Sequence, residues 1–416
     1  MIADDQLTEL TAWLARAGLA GVSELALVTG FCERVVAAGV PVARAQVFID
    51  TLDPVHEGRL FRWGHDASLP LEQGYGRTSQ IIASGASEPA FMPPEAHAEA
   101  WRSSPFYRMR ETGESLLRRR IPAADDSEFN VLPELRADGF TDYVAIITRF
   151  TAEGTIGEMD CLYSSWSTKE PHGFRKEHIG ALQRITPFLA LAIKSVSLAR
   201  MTGTLMRTYL GRDAGRRVLS GRIMRGVADR IDAVIWFSDL RGFTRITDTT
   251  PAQVIPLLND YADVVVSALH GHGGDVLKFM GDGTLAIFTA ENRERACAAA
   301  LSAAVAAREG VIDLNSRRAA DGLPTTDVYL GLHVGEVFYG NVGSTERLDF
   351  TVIGPAVNEV SRIAAMCRSA EQPMLVSAAF ADVGNNRGRL VSVGRYALRG
   401  VSGAQELFTL DPGVSI

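Results

Sequence analysis

Two acidic residues stand beside apolar runs. Asp239 closes the run Ala233-Val234-Ile235-Trp236-Phe237-Ser238, and Asp282 sits between Leu277–Gly281 and Gly283–Phe288. Each run is short, rich in β-branched and aromatic residues and bounded by glycine, which predicts strands. A carboxylate at the mouth of a buried strand is costly unless it meets a cation. Two such carboxylates at neighbouring strand ends repel, and a hard divalent cation such as Mg²⁺ or Mn²⁺ relieves the repulsion. Directly after Asp239, Leu240-Arg241-Gly242-Phe243-Thr244 offers backbone N–H groups with little side-chain obstruction, a surface suited to a row of phosphates. The competing reading of Asp282 is structural. An Asp-Gly step between apolar runs is a hairpin signal, and the acid then only shapes a type I′ turn. The partner acid at 239 favours the metal.

The elements that must bring these residues together can be read from periodicity. Strands are expected at 232–239, 275–279 and 284–288, with a further strand pair at 327–334 and 336–342. Helices are expected at 251–270, 293–308 and 357–367. This β-α-β-β-α-β order predicts an α+β, ferredoxin-like sheet with helices on one face, extended by strands near 374–377, 390–398 and 406–410. On the last of those helices Asn358 and Arg362 stand at i and i+4 and so share one face. Taken alone, that pair reads as a solvated helix surface.

Upstream, the first 40 or so residues read as helices, followed by strands at 44–52 and 58–63. The stretch 65–127 reads as loops with short helices, and strands follow at 142–150 and 158–163, joined by "TAEGTIGE". A helix at 174–206 carries a stripe of Ile179, Leu182, Ile185, Leu189, Ile193 and Val196, spaced by three and four as in the seam of a parallel dimer. Pro187 inside it is expected to kink or split the helix. Helices flanking a small antiparallel sheet, with a long exit helix, resemble a GAF- or PAS-type sensor domain. The organisation expected is a sensor-like domain at 1–173, a signalling helix and connector at 174–228, and a catalytic domain at 229–416. An unknown small-molecule or protein regulator would act on the first.

FSDLRGFT (237–244), LKFMGDG (277–283) and TVIGPAVNEVSRIA (351–364), in that order, resemble the catalytic domain of class III nucleotidyl cyclases, over about 230 to 410. The connector 208–226 resembles the segment that precedes many bacterial cyclase domains. The resemblance implies a head-to-tail homodimer with composite active sites. Asp239, Asp282 and the Leu240 carbonyl would hold two Mg²⁺ or Mn²⁺ ions per site, with Gly242, Phe243 and Thr244 at the phosphates. From the opposite chain, Asn358 would orient the ribose and Arg362 would stabilise charge on the α-phosphate. Arg399 falls where the family usually has a phosphate-binding lysine, with altered geometry.

Lys278 and Thr351 would read the base. A lysine only donates, which suits adenine N1, and a threonine hydroxyl can accept from N6. ATP is therefore favoured as substrate, although Lys278 can also reach guanine O6. The Lys/Thr combination looks like the subgroup that is often bicarbonate-responsive. A guanylate or dual-specificity cyclase, or a degenerate nucleotide-binding module, are the alternatives. "HGGDV" (272–276) partly resembles the GGDEF signature, but Val-Leu replaces the expected Glu-Phe.

Composition sets the outer bounds. A chain of 416 residues exceeds one ordinary core. With 46% apolar and 22% charged residues it is globular, and a net charge of −7 without a basic tract argues against nucleic acid as a partner. The four cysteines form no CxxC pair, and the eight histidines lack metal-ligand spacing, His333 reading as a core residue. No signal peptide and no apolar run of the roughly 20 residues that span a membrane is apparent, so a cytoplasmic location is expected.

Overall fold

The computed structural model describes residues 4–76, 99–121, 128–150, 156–157, 159–384, 386–399, 401 and 403–411. The chain divides into two compact units, Met1–Thr204 and Leu205–Ile416. Most of "TAEGTIGE" and much of the 65–127 stretch lie outside the described residues.

The first unit contains α1 (Asp4–Leu19), α2 (Glu24–Ala37), β1 (Arg44–Asp50), β2 (Gly58–Trp63), β3 (Glu72–Tyr75), α3 (Pro105–Thr112), β4 (Leu116–Arg120), α4 (Leu132–Ala137), β5 (Asp142–Arg149) and β6 (Cys161–Thr168). The six strands form one sheet in the order β3-β2-β1-β6-β5-β4, antiparallel throughout. β5 shows why its residues are buried without alternation. Val144 and Ile146 face a core with α1 and α2, whereas Tyr143, Ala145 and Ile147 face a second core with α3 and α4. Both faces of the strand are covered, so both sets are apolar. Two strands within 65–127, β3 and β4, were not expected from sequence, being short and rich in charge or glycine.

α5 (Lys176–Leu210) continues through Pro187 without dividing. Pro187 and Gln183, whose carbonyl loses its i+4 partner, both lie on the exposed side, where water can satisfy that carbonyl. The expected dimer stripe is not free. Leu182, Ile185, Leu189 and Ile193 are fully buried in the first unit's own core. By length and composition α5 is also the one helix among the described residues long and apolar enough to cross a membrane, with mean hydropathy 1.2, contrary to the sequence expectation. About a third of that segment is buried in the protein.

The second unit comprises α6 (Arg212–Leu219), β7 (Ala228–Leu240), α7 (Phe243–Thr249), α8 (Val254–Gly271), β8 (Asp275–Met280), β9 (Gly283–Thr289), α9 (Arg293–Ala320), β10 (Val328–Gly343), β11 (Leu348–Ile353), α10 (Pro355–Met366), β12 (Met374–Ser377), α11 (Ala378–Ala381), β13 (Leu390–Ala397) and β14 (Ala404–Leu410). Its sheet runs β13-β14-β12-β10-β7-β9-β8, with β11 paired to β10. The segment β10-β7-β9-β8 is the ferredoxin-like order expected from sequence.

Helices cover both faces, not one. Val234 and Trp236 face α8 and α9, whereas Ala233 and Ile235 face α6, β11 and α10. The expected strand pair at 327–342 is one continuous strand, because β10 pairs with β7 from Val328–Leu240 to Gly340–Ala228. Gly335 does not turn the chain. A Cβ there would sit 2.9 Å from that of Ala356, so the glycine lets α10 lie close to the sheet. β11, not the second half of β10, is the returning strand.

Candidate active site

Near the end of β7, Asp239 is half-buried between the buried residues Ser238 and Leu240. Ser238 is level with Thr284 of β9, which places Asp239 beside the turn joining β8 to β9. That turn consists of Gly281 and Asp282, since Met280 pairs with Gly283. Gly281 carries the positive φ of +65°, and Asp282 does not share it. The turn is therefore the Gly-first kind, shifted by one residue from the Asp-Gly type I′ turn, and Asp282 is not needed for its backbone. What Asp282 does is meet Asp239. Burial first, then hydrogen bonding and charge from Asp282, push the Asp239 carboxyl up to about 6.

The two acids line an open cleft of about 1510 Å³ together with Leu240, Gly242, Phe243 and Thr244. Gly242 adopts φ +69° and caps α7, leaving the first-turn N–H groups of Phe243 and Thr244 without intrahelical acceptors. Arg245, Arg308 and Arg368 complete a basic rim. Among the described residues no group of three or more His, Cys, Asp or Glu side chains is placed to hold a metal ion. The donor set at Asp239 and Asp282 is thus two carboxylates, whose mutual repulsion a hard divalent cation would relieve.

None of the remaining sequence-predicted residues lines this cleft. Lys278 on β8 is ion-paired with Asp349 on β11. Thr351 follows two residues along β11, level with Gly340 of β10, so it shares a face with Asp349 opposite the core residues Phe350 and Val352. On α10, Pro355 begins the helix and Ala356, Val360 and Ile363 turn inward. Asn358 is exposed and Arg362 partly so, and neither side chain has a hydrogen-bond or ion-pair partner among the described residues. Arg399 is exposed in the β13–β14 connection, also without such a partner. One chain thus brings Asp239 and Asp282 to one cleft and holds Lys278 at Asp349, whereas among the described residues no hydrogen bond or ion pair joins Asn358, Arg362 or Arg399 to either pair. His333 is a satisfied core residue. Its Nδ1 lies 2.8 Å from Ser377 Oγ, and burial lowers its pKa.

Residues 227–412 match the family model of the adenylate and guanylate cyclase catalytic domain. This region is a cyclase catalytic domain. Uncharacterized proteins of Mycobacterium tuberculosis and Mycobacterium bovis are each 36% identical to it over 178 residues, 41% of this chain and 32% of theirs. The chain thus matches only about a third of the length of these relatives. Among solved structures, the cyclase domain is similar to the adenylyl cyclase CyaB from P. aeruginosa, at 24% identity and TM-score 0.42, covering 45% of this chain and 97% of that one. It is also similar to the guanylyl cyclase Cya2, at 27% identity and TM-score 0.40, covering 44% and 93%.

Sequence reasoning missed Asp349 and the arginine rim of the cyclase domain. For Asp349 a signal existed. It lies two residues before Thr351 in a strand, and residues at i and i+2 share a face. For Arg308 and Arg368 no signal existed, because they reach the cleft only through the packing of α9 and the chain after α10.

Proposed function

We propose that the protein is an adenylate cyclase, converting ATP to 3′,5′-cyclic AMP and pyrophosphate in the cytoplasm. The observation that carries this reading is the meeting of Asp239 and Asp282 at the mouth of a cleft lined by the Gly242–Thr244 loop. Mg²⁺ or Mn²⁺, two ions per site, would supply the charge that acidifies the ribose 3′-hydroxyl and steadies the leaving pyrophosphate. Phe243 and Thr244 amides receive phosphate oxygens. Lys278 donates to adenine N1 and Thr351 accepts from N6. Asn358 orients the ribose, and Arg362 meets the charge that develops on the α-phosphate.

A cleft that holds the acids but is not lined by Lys278, Thr351, Asn358 or Arg362 of the same chain suits a homodimer in which each site takes its acids from one copy and its purine- and ribose-binding residues from the other. Arg399 would add charge at the polyphosphate. The first unit acts as a sensor-like regulatory domain. A second reading, guanylate cyclase, is favoured by one observation. Asp349 beside Lys278 offers an acceptor for guanine N1–H and N2–H while Lys278 donates to O6.

The test is the purified full chain with Mn²⁺ and either ATP or GTP. Cyclic AMP should form in preference to cyclic GMP, and Asp239→Ala or Asp282→Ala should lose at least about 10²-fold in turnover. Preference for GTP would establish the second reading. No product from either nucleotide would leave a nucleotide-binding module without catalysis.

A further inference from the structure

Beside the two acids, on the α8 side of the sheet, lies a second chamber of about 220 Å³. It shares only Asp239, Leu240, Asp282 and Val328 with the cleft, and nothing of the Gly242–Thr244 loop. Its roof is one face of α8, where Leu258, Tyr261, Ala262 and Val265 recur at i, i+3, i+4 and i+7. Its floor is a row across three strands. Phe279 of β8 is level with Thr284 of β9, and Thr284 with Ser238 of β7, so the three share one sheet face. Ser238 shares that face with Val234 and Trp236, which pack in one core with α8. Phe279, 57% exposed, forms the lip. The Ser238 hydroxyl accepts a hydrogen bond from Trp236 Nε1 at 3.0 Å. Thr284 is only 6% exposed, yet its hydroxyl has no hydrogen-bond partner among the described residues. A buried hydroxyl left unpaired costs free energy that a bound partner recovers.

We infer that this chamber is a binding site for a small uncharged ring alcohol or phenol. Size selects the ring. A cavity of about 150 Å³ lined by Leu, Ile and Phe holds benzene, so the larger chamber here holds a ring with a short substituent. Leu258, Ala262, Val265 and Phe279 select an apolar body. The Thr284 hydroxyl, free both to donate and to accept, selects one polar group on it. Charge is selected against. An anion meets repulsion from Asp239 and Asp282. A cation is drawn to the carboxylates themselves, where a divalent metal displaces it, and not to the α8 wall. A filled chamber ties α8 to the hairpin that carries Asp282, so its occupant acts on the support of that acid. The inference goes beyond the catalytic reading and does not rest on it, since nothing in the chamber requires a nucleotide.

The probe is 4-methylphenol, with toluene, benzoate and benzylamine as comparisons. Each is titrated into the full-length protein with Mg²⁺ present and followed by saturation-transfer NMR. 4-Methylphenol should bind, toluene should bind at least about threefold more weakly, and the two charged rings should not bind. Thr284→Val keeps the shape and removes the hydroxyl. It should lower the affinity for 4-methylphenol to that for toluene and leave toluene unchanged, which also shows that the chamber is intact. Thr284→Ser should keep the preference for the phenol. Ala262→Leu fills the chamber from α8 and should weaken both neutral rings at least about tenfold. The inference is overturned if 4-methylphenol does not bind, or if toluene or either charged ring binds as tightly. It is also overturned if Thr284→Val affects both neutral rings alike, or if binding keeps its full strength in Ala262→Leu. None of these readings requires turnover, so they can fail while cyclase activity is found, or hold while it is not.

Discussion

Lys278 is held by Asp349, an acid on the neighbouring strand two residues before Thr351. The pair is half-exposed, so its worth to stability is small. On the proposed reading its consequence is geometric: it would fix where the ammonium meets a purine. Replacing Asp349 by Ala frees Lys278 to move and removes a carboxylate acceptor. On the adenylate reading the KM for ATP should rise by about tenfold with a smaller change in kcat, and the ratio of ATP to GTP use should fall. Steady-state kinetics with both nucleotides measure this. A purely structural role would lower folded protein but leave the ratio unchanged.

Asp239 gives a pH dependence whose sign is fixed. Its folded-state pKa is raised to about 6 by burial and by Asp282, above the unfolded value of 3.8. The folded state therefore binds the proton more tightly, and the contribution of this group is fully present below 3.8 and lost as the pH rises to about 6. Without divalent cation, the melting temperature of the second unit should fall between pH 4.5 and 7. Asp239→Asn should flatten that fall, and Mn²⁺ should restore stability at pH 7 in the wild type only. Scanning calorimetry at several pH values, with and without Mn²⁺, distinguishes these outcomes.

That Asn358 and Arg362 do not line the cleft of the two acids has a numerical consequence for the proposed homodimer. Asp239→Ala and Arg362→Ala should each be nearly inactive. Co-expressed in equal amounts with random pairing, half the dimers are mixed, and each mixed dimer has one intact site. About a quarter of wild-type activity should return. If mixed dimers form and the activity does not return, the site lies within one chain.

In the first unit, Glu24 is fully buried on α2 and receives Arg200 of α5 at 2.8 Å, Arg59 of β2 at 3.3 Å and the Ser197 hydroxyl at 3.3 Å. Glu24→Ala leaves two guanidinium groups without their shared carboxylate. Arg200 can turn to solvent and Arg59 retains Glu72, so the loss should be about 3 kcal/mol, the low end for a broken buried pair. Urea denaturation of the full chain, followed by hydrogen exchange of the β5 and β6 amides, reads it out. An unchanged midpoint would mean that the network contributes nothing.

How far the site was legible depends on whether its residues are close in sequence or only in space. The strand ending at Asp239, the hairpin at Asp282 and the helix placing Asn358 and Arg362 on one face all follow from local periodicity and turn chemistry. The sequence reading went astray where local signals were ambiguous. Gly335 looked like a turn because glycine in an apolar run often is one, yet it serves to admit Ala356 against an unbroken strand. Pro187 looked like a break, yet an exposed carbonyl can lose its partner to water. The buried stripe of α5 looked like a dimer seam, because periodicity reports that a face is covered without reporting by what.

The sequence by itself determined the order of strands and helices in the second unit, its cyclase motifs, and which residue types stand at each strand end, since these depend on spacing along a chain of fixed geometry. Only the tertiary structure decided that Asp239 and Asp282 meet at one cleft, that Lys278 is already engaged by Asp349, and that helices cover both faces of the sheet. It also decided that the apolar stripe of α5 is used up inside its own unit. Each of those is a contact between residues tens of positions apart, set by packing and burial that no local pattern encodes.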